Sequence, residues 1–123
     1  MDIDMDIKLK ISFIGSSGVS FMGIGPYLLL KGIQKFNSIR QAASEMKMSY
    51  VKSLKILNTL EEHFGKALLI REKGGNSRKG TSLTEFGETL LDNYAILEKN
   101  IIKNSEKEFD KFINRLPGGY KKK

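Results

Sequence analysis

Side chains that can contact nucleic acid are concentrated in the middle of this 123-residue chain. Lysine and arginine contact phosphate oxygens or guanine acceptors, serine donates to several base edges, and tyrosine contacts a thymine methyl group or a phosphate. We predict base contacts from Tyr50, Lys52 and Ser53, with Ser49 near the rim of the groove, and phosphate contacts from Arg40, Lys47 and Lys55. A second basic group lies in a glycine-rich loop and comprises Lys73, Arg78 and Lys79. This chemistry needs no cofactor and no metal, and we predict neither.

The net positive charge of the chain lies in the same region. The chain has a net charge of +7, and residues 31–80 hold 11 Lys/Arg against 4 Asp/Glu. Residues 1–30 have a net charge of −1, and residues 81–123 have +1. A concentration of this kind is the electrostatic footprint expected of a phosphate-binding surface. A solvated basic face or a surface for an acidic protein would have the same composition, so charge alone does not separate these readings.

Two serines mark the starts of two helices in this region. Ser38 can cap a helix over residues 39–46, and Ser49 can cap a second helix from residue 50 to about residue 64. Only two residues lie between the helices, and two adjacent alanines in the first are small enough to allow a close crossing. The pattern predicts a helix-turn-helix motif, whose second helix enters the DNA major groove.

Short elements flank this motif on both sides. Residues 8–14 alternate polar and apolar side chains and predict a half-buried strand, with residues 19–22 returning beside it as a hairpin. Pro26 then suits the first turn of a helix over residues 27–36. After the motif, residues 67–72 and 81–83 predict two strands joined by the basic loop KGGNSRKG, which is a wing.

The last predicted helix is capped by Thr84 and carries an apolar seam close to heptad spacing. Because a helix this long has little core left to cover in a small domain, we predict that the seam pairs two copies of the chain. Folding back onto its own domain is the alternative. The residues predicted for dimerisation are Leu90, Tyr94, Leu97, Ile101, Phe109 and Phe112.

The predicted fold class is mainly α with small β-hairpins (α+β). It is a winged helix-turn-helix with an N-terminal β-hairpin and a long C-terminal dimerisation helix. We predict the DNA-binding domain over residues 1–83, the long helix over residues 84–116 and a frayed basic tail over residues 117–123. The chain has no cysteine, no apolar run near the ~20 residues of a membrane span and no signal peptide, so we expect a cytoplasmic protein without membrane association.

Catalytic chemistry has little support in the sequence. His63 is the single histidine, and no cysteine is present to complete a zinc site. Leu28 stands where a dinucleotide fingerprint needs its third glycine, and the loop at residues 73–80 lacks the Gly-Lys-Ser/Thr of a P-loop. We therefore predict that the chain is not an enzyme.

The ordered motifs resemble the DNA-binding domain of the molybdate-responsive regulator (ModE) family, which is related to LysR-type winged helices. The resemblance covers roughly residues 8–94. The family pattern Gly-Ser-(Ile/Leu)-x-x-Ala-Ala appears as NSIRQAA at residues 37–43, and its Met-Ser-Tyr turn appears at residues 48–50. The leucine-threonine-x-x-glycine signature after the wing is present at Leu83, Thr84 and Gly87. The resemblance implies sequence-specific binding to duplex DNA and pairing through the last helix.

Four departures from the family pattern bear on function. Asn37 replaces the usual glycine, and Ser53-Leu54 stands where the family has Ala-Trp. The wing loop is less glycine-rich and more basic than the family pattern, so base preference can differ. The sequence stops after the long helix, where family members carry a separate oxyanion-binding domain, so we expect no direct molybdate binding.

The sequence thus predicts a homodimeric regulator of transcription that binds double-stranded DNA. Two alternatives stay open: a winged-helix module that binds another protein, and a nonspecific DNA binder that depends on a partner sensor. The operator, the target genes, the choice between activation and repression, and any effector are not encoded in a recognisable pattern.

Overall fold

The computed structural model describes residues 2–71 and 80–122. Its ten elements in these ranges are β1 (Asp2–Ile3), β2 (Phe13–Ile14), β3 (Ser20–Met22), α1 (Ile24–Phe36), α2 (Ile39–Glu45), α3 (Tyr50–Phe64), β4 (Leu69–Arg71), β5 (Thr81–Leu83), α4 (Glu85–Arg115) and β6 (Lys121–Lys122). The chain forms two compact units, one over Ile11–Tyr94 and the other from Met1–Lys10 with Ala95–Lys123. Each unit is described by itself.

The two serine caps form as the sequence predicts. The Ser38 hydroxyl accepts a hydrogen bond from the Gln41 N–H at 3.1 Å, and the Ser49 hydroxyl accepts one from the Lys52 N–H at 3.1 Å. Each bond satisfies one of the free donors of a first helical turn. As a result α3 has the predicted bounds, while α2 ends one residue earlier than predicted, at Glu45.

A close crossing packs α2, the first helix of the helix-turn-helix, against α1. A methyl group added at Gly32 of α1 would lie 2.8 Å from the Ala42 Cβ, which is tighter than real Cβ contacts. The turn after α2 closes when the Met48 N–H donates to the Ala43 carbonyl at 2.9 Å, and Lys47 takes a left-handed conformation with φ 55°. Small residues on both helices therefore set the distance between them.

The unit over Ile11–Tyr94 has one hydrophobic core, to which all four helices contribute. In α4, Tyr94 lies among aromatic rings, with its ring centroid 5.8 Å from that of Phe13 and 5.1 Å from that of Tyr27. The cluster buries Met22, Leu29, Leu30, Ile33, Ile39, Ala42, Leu57, Leu60, Leu68, Leu69, Leu83, Leu91 and Tyr94.

Both predicted hairpins form, but the first is shorter than predicted. The strand expected over residues 8–14 is confined to β2, and the pairing of β2 with β3 shifts register between Phe13 and Ile14. Such a bulge ends regular pairing. Leu9 is 41% exposed, so the alternating pattern before the bulge does not describe a buried face. In the wing, β4 and β5 pair antiparallel with Leu69 opposite Leu83.

The second unit contains the later part of α4 and a pairing that the sequence did not predict. The short strands β1 and β6 are parallel, with Asp2 opposite Lys121. The tail predicted to be frayed therefore includes a paired strand. Within the described part of the chain, no helix has the length and apolar character needed to cross a membrane.

Candidate nucleic-acid interface

The first two turns of α3 present positive charge to solvent. Lys52 and Lys55 are exposed, and neither forms an ion pair with a carboxylate of the described residues, whereas Lys111 pairs with Glu108 on α4. Because no described carboxylate neutralises the two α3 ammonium groups, both are free to meet phosphate or base acceptors. The Ser49 hydroxyl is occupied by the cap bond to the Lys52 N–H.

Arg40 is held beside the start of α3 by an aromatic ring. Its guanidinium carbon lies 4.0 Å from the centroid of the Tyr50 ring, a cation–π contact between α2 and α3. The two side chains line a polar cleft of about 460 Å³, whose other walls are Phe36, Asn37, Ser38, Ile39, Gly80 and Thr81. The prediction brought Arg40 and Tyr50 to one surface, and the structure adds that Tyr50 supports the Arg40 guanidinium.

The prediction that Ser53 contacts a base edge is wrong. Ser53 is completely buried, and its hydroxyl donates to the Tyr50 carbonyl at 2.6 Å. Its position four residues before Leu57 puts it on the inner face of α3. The spacing of Ser53, Leu57 and Leu60 carried this signal, but the polarity of serine suggested an outward residue.

Val51 was not among the residues predicted to form the surface of α3. Its side chain is 76% exposed. It lies one helical turn before Lys55 and close to the N-terminus of the helix. The outward surface of α3 is therefore formed by Val51, Lys52 and Lys55, with the exposed Asn58 one turn further along.

The wing is attached to the corner between α1 and α2. The Thr81 N–H donates to the Asn37 carbonyl at 2.9 Å, and Asn37 itself is left-handed with φ 55°. Gly80 has φ +66° and lies so close to the Asn37 carbonyl oxygen that an added Cβ would overlap it. The three wing residues predicted to contact DNA, Lys73, Arg78 and Lys79, lie outside the described residues.

The leucine-threonine-x-x-glycine signature has a structural role at the base of the wing. The Thr84 hydroxyl donates to the Ala67 carbonyl at 2.7 Å and accepts from the Gly87 N–H at 3.0 Å. The Thr84 N–H also donates to the Leu68 carbonyl at 2.9 Å, and a Cβ at Gly87 would lie 2.6 Å from that oxygen. The signature thus fixes the start of α4 against the wing rather than contacting a ligand.

The predicted dimerisation residues fall into two groups. Tyr94 is only 2% exposed and packs in the core of its own unit, so its assignment to a dimer interface is wrong. Leu90 is half-buried against the same core. Leu97, Ile101 and Phe112 are exposed, and the half-buried Phe109 ring stacks on Phe112 with centroids 6.2 Å apart.

His63 has structural contacts. Its Nδ1 lies 3.0 Å from the Thr59 carbonyl oxygen, so this nitrogen carries the proton and donates. The ring stacks on Phe21 at a centroid distance of 3.9 Å. In the described ranges, no cluster of three His, Cys, Asp or Glu side chains could hold a metal ion.

Comparison with known proteins supports this interpretation of the fold. No protein-family model matches the chain. The chain is 41% identical over 71 residues to a transcriptional regulator ModE from Haemophilus influenzae, a match that covers 58% of this chain and 28% of that protein. It is 31% identical over 70 residues to a molybdenum transport protein ModE from Azotobacter vinelandii, covering 57% of this chain and 26% of that protein. The chain therefore spans little more than a quarter of these curated relatives.

Two solved structures share the fold at lower identity. The DNA-binding domain of CbnR in complex with DNA aligns with a TM-score of 0.57 and 17% identity, covering 71% of this chain and 94% of that one. The LysR family transcriptional regulator CbnR aligns with a TM-score of 0.56 and 20% identity, covering 72% and 29%. The predicted fold class and the predicted resemblance are both confirmed: the chain is ModE-like over about 70 residues and has the winged helix-turn-helix fold of LysR-type DNA-binding domains.

Proposed function

We propose that this protein is a transcriptional regulator that binds a specific sequence of double-stranded DNA as a homodimer and has no enzymatic activity. The observation that carries the proposal is the start of α3, where Lys52 and Lys55 are exposed without a described acidic partner. The relative from Haemophilus influenzae is named as a transcriptional regulator, and one solved structure of the same fold was determined with DNA.

In the proposed mode, the first turns of α3 enter the major groove. Arg40, supported by Tyr50, contacts a phosphate from the polar cleft beside the helix. Lys47 lies in the tight turn before α3 and contacts the adjacent backbone. Lys73, Arg78 and Lys79 contact phosphate or the minor groove from the wing loop.

The exposed apolar residues of α4 favour pairing of two chains. Leu97, Ile101 and Phe112 leave apolar surface in water, which association would remove. A symmetric dimer presents two copies of α3 to a pseudo-palindrome, with half-sites separated by about 34 Å or a multiple of it. The proposed site thus consists of two α3 surfaces, one from each chain.

Selection of fragments from the genome that encodes the protein tests the proposal. Affinities are measured at two salt concentrations, because phosphate contacts make binding salt-dependent. We expect one roughly palindromic sequence to be enriched and bound far more tightly than random DNA. Lys103→Gln on α4 serves as a charge-matched control for variants of α3.

Other outcomes would favour the alternatives. Weak binding that shows no enriched sequence and disappears as salt rises would identify a nonspecific DNA binder that depends on a partner. Absence of DNA binding would favour a winged-helix module that binds another protein. Either result would contradict the proposed sequence-specific regulator.

A further inference from the structure

Val51 is an apolar residue in a position that the fold alone does not explain. Its side chain is 76% exposed, more than Val19 at 66% or Ile14 at 64%, and it is not part of the hydrophobic core. A β-branched residue in an exposed helical position gains no packing and lowers helix propensity. As the second residue of α3, Val51 places one apolar side chain beside the exposed Lys52 and one turn before Lys55.

The surroundings of Val51 indicate what kind of partner its side chain fits. The outward neighbours on α3 are Lys52, Lys55 and Asn58, all exposed and all polar. Lys52 and Lys55 border an apolar cleft, but Val51 does not line it, so the valine is not part of the apolar patch that a protein partner would need. The major groove of DNA offers hydrogen-bond acceptors to the lysines and one apolar group, the C5 methyl of thymine, to the valine.

We propose that Val51 is a specificity-determining residue that contacts the C5 methyl group of a thymine in each half-site of the operator. The inference rests on the proposed DNA-binding function and deepens it by naming a base. Valine has no donor or acceptor in its side chain, so it cannot form a hydrogen bond with a phosphate or a base edge. Its χ1 angle is nearly fixed in a helix, which holds both methyl groups in one direction. Guanine, adenine and unmethylated cytosine offer no equivalent methyl group in the major groove.

Deoxyuridine provides a direct test, because it pairs like thymine and lacks only the methyl group. In the operator found by genomic selection, each thymine is replaced in turn, and affinity is measured for the wild-type protein and for Val51→Ala. We expect one position in each half-site where replacement weakens wild-type binding about fourfold, the factor for returning one methyl group to water. With Val51→Ala, the same replacement should change affinity by less than about twofold, because the thymine methyl group then has no valine side chain to contact.

Two controls make the result specific. Ile96→Ala truncates another exposed β-branched residue, which lies on α4, and should retain the wild-type response to deoxyuridine. Thermal unfolding of Val51→Ala should show no loss of stability, because the side chain is not in the core and alanine has the higher helix propensity.

The outcomes separate this inference from the proposed function. If an operator exists but Val51→Ala responds to deoxyuridine as the wild-type protein does at every position, the thymine contact is refuted and the regulator stands. The same conclusion follows if no thymine is sensitive. If selection enriches no sequence at all, the proposed function and the thymine contact are both refuted.

Discussion

Gly32 of α1 provides a test of the α1–α2 crossing. A Cβ at Gly32 would lie 2.8 Å from the Ala42 Cβ and 3.3 Å from the Ala42 Cα. Ordinary van der Waals contact begins at 3.4 Å, so Gly32→Ala requires a movement of about 0.6 Å between the helices. Since one of the atoms that it meets belongs to the backbone, no side-chain rotation relieves the contact.

The size of the effect follows from two opposing terms. Replacing glycine by alanine in a helix gains up to about 1 kcal/mol from backbone entropy and helix propensity. Inserting a methyl group into a close-packed contact costs about 1–3 kcal/mol. We therefore expect Gly32→Ala to lower the free energy of unfolding by about 0–2 kcal/mol.

Urea denaturation followed by circular dichroism measures Gly32→Ala, Ala42→Gly and the double variant against the wild-type protein. Comparison of the midpoints at constant m-value gives the change in stability. The double variant should lose less stability than the sum of the two single variants, because the crossing again has only one methyl group. Stabilisation by Gly32→Ala, or a double variant without this favourable coupling energy, would refute the close crossing as the reason for glycine at residue 32.

Three further predictions concern DNA binding and dimerisation. Lys52→Ala should weaken binding to the operator by about 1–3 kcal/mol and binding to random DNA by less. Ser53→Ala should leave both affinities within about twofold, because Ser53 is buried. Equal losses for Lys52→Ala on both DNAs would identify Lys52 as a phosphate contact. Replacing Arg78 and Lys79 by glutamine should reduce the slope of log affinity against log salt by about 1 for each phosphate that the wing no longer neutralises, and an unchanged slope would exclude these residues from the interface. Ile101→Glu should shift sedimentation toward the monomer, and an unaltered dimer would show that the exposed part of α4 is not the interface.

Local signals in the sequence predicted the helix-turn-helix well. A serine cap depends on the residues of one helical turn, so Ser38 and Ser49 defined the starts of α2 and α3 without knowledge of the rest of the chain. The strands of the wing and the cap at Thr84 were likewise predicted from adjacent residues, and both form.

The wrong predictions concern residues whose burial depends on packing between elements. Ser53 can be buried because its hydroxyl is satisfied within its own helix by the Tyr50 carbonyl, and an interpretation based on polarity does not include that bond. Tyr94 has the spacing of a dimer seam, but spacing does not specify whether a partner chain or the domain's own aromatic residues cover the face. The pairing of Asp2 with Lys121 joins opposite ends of the sequence and leaves no local signal.

Because the wing is attached to the main chain at Asn37, mutations in the wing loop and mutations in α3 should have different consequences during evolution. Backbone atoms fix the second strand on both sides: Thr81 is paired with Arg71 in the hairpin, and its N–H is bound by the Asn37 carbonyl. The attachment of β5 therefore rests on main-chain atoms. Under the proposed function, mutation in the loop KGGNSRKG would adjust overall affinity for DNA, while mutation at Val51 or Lys52 would change which sequence is preferred. A duplicated copy of the gene could thus acquire a new operator through a few codons of α3 and retain its wing.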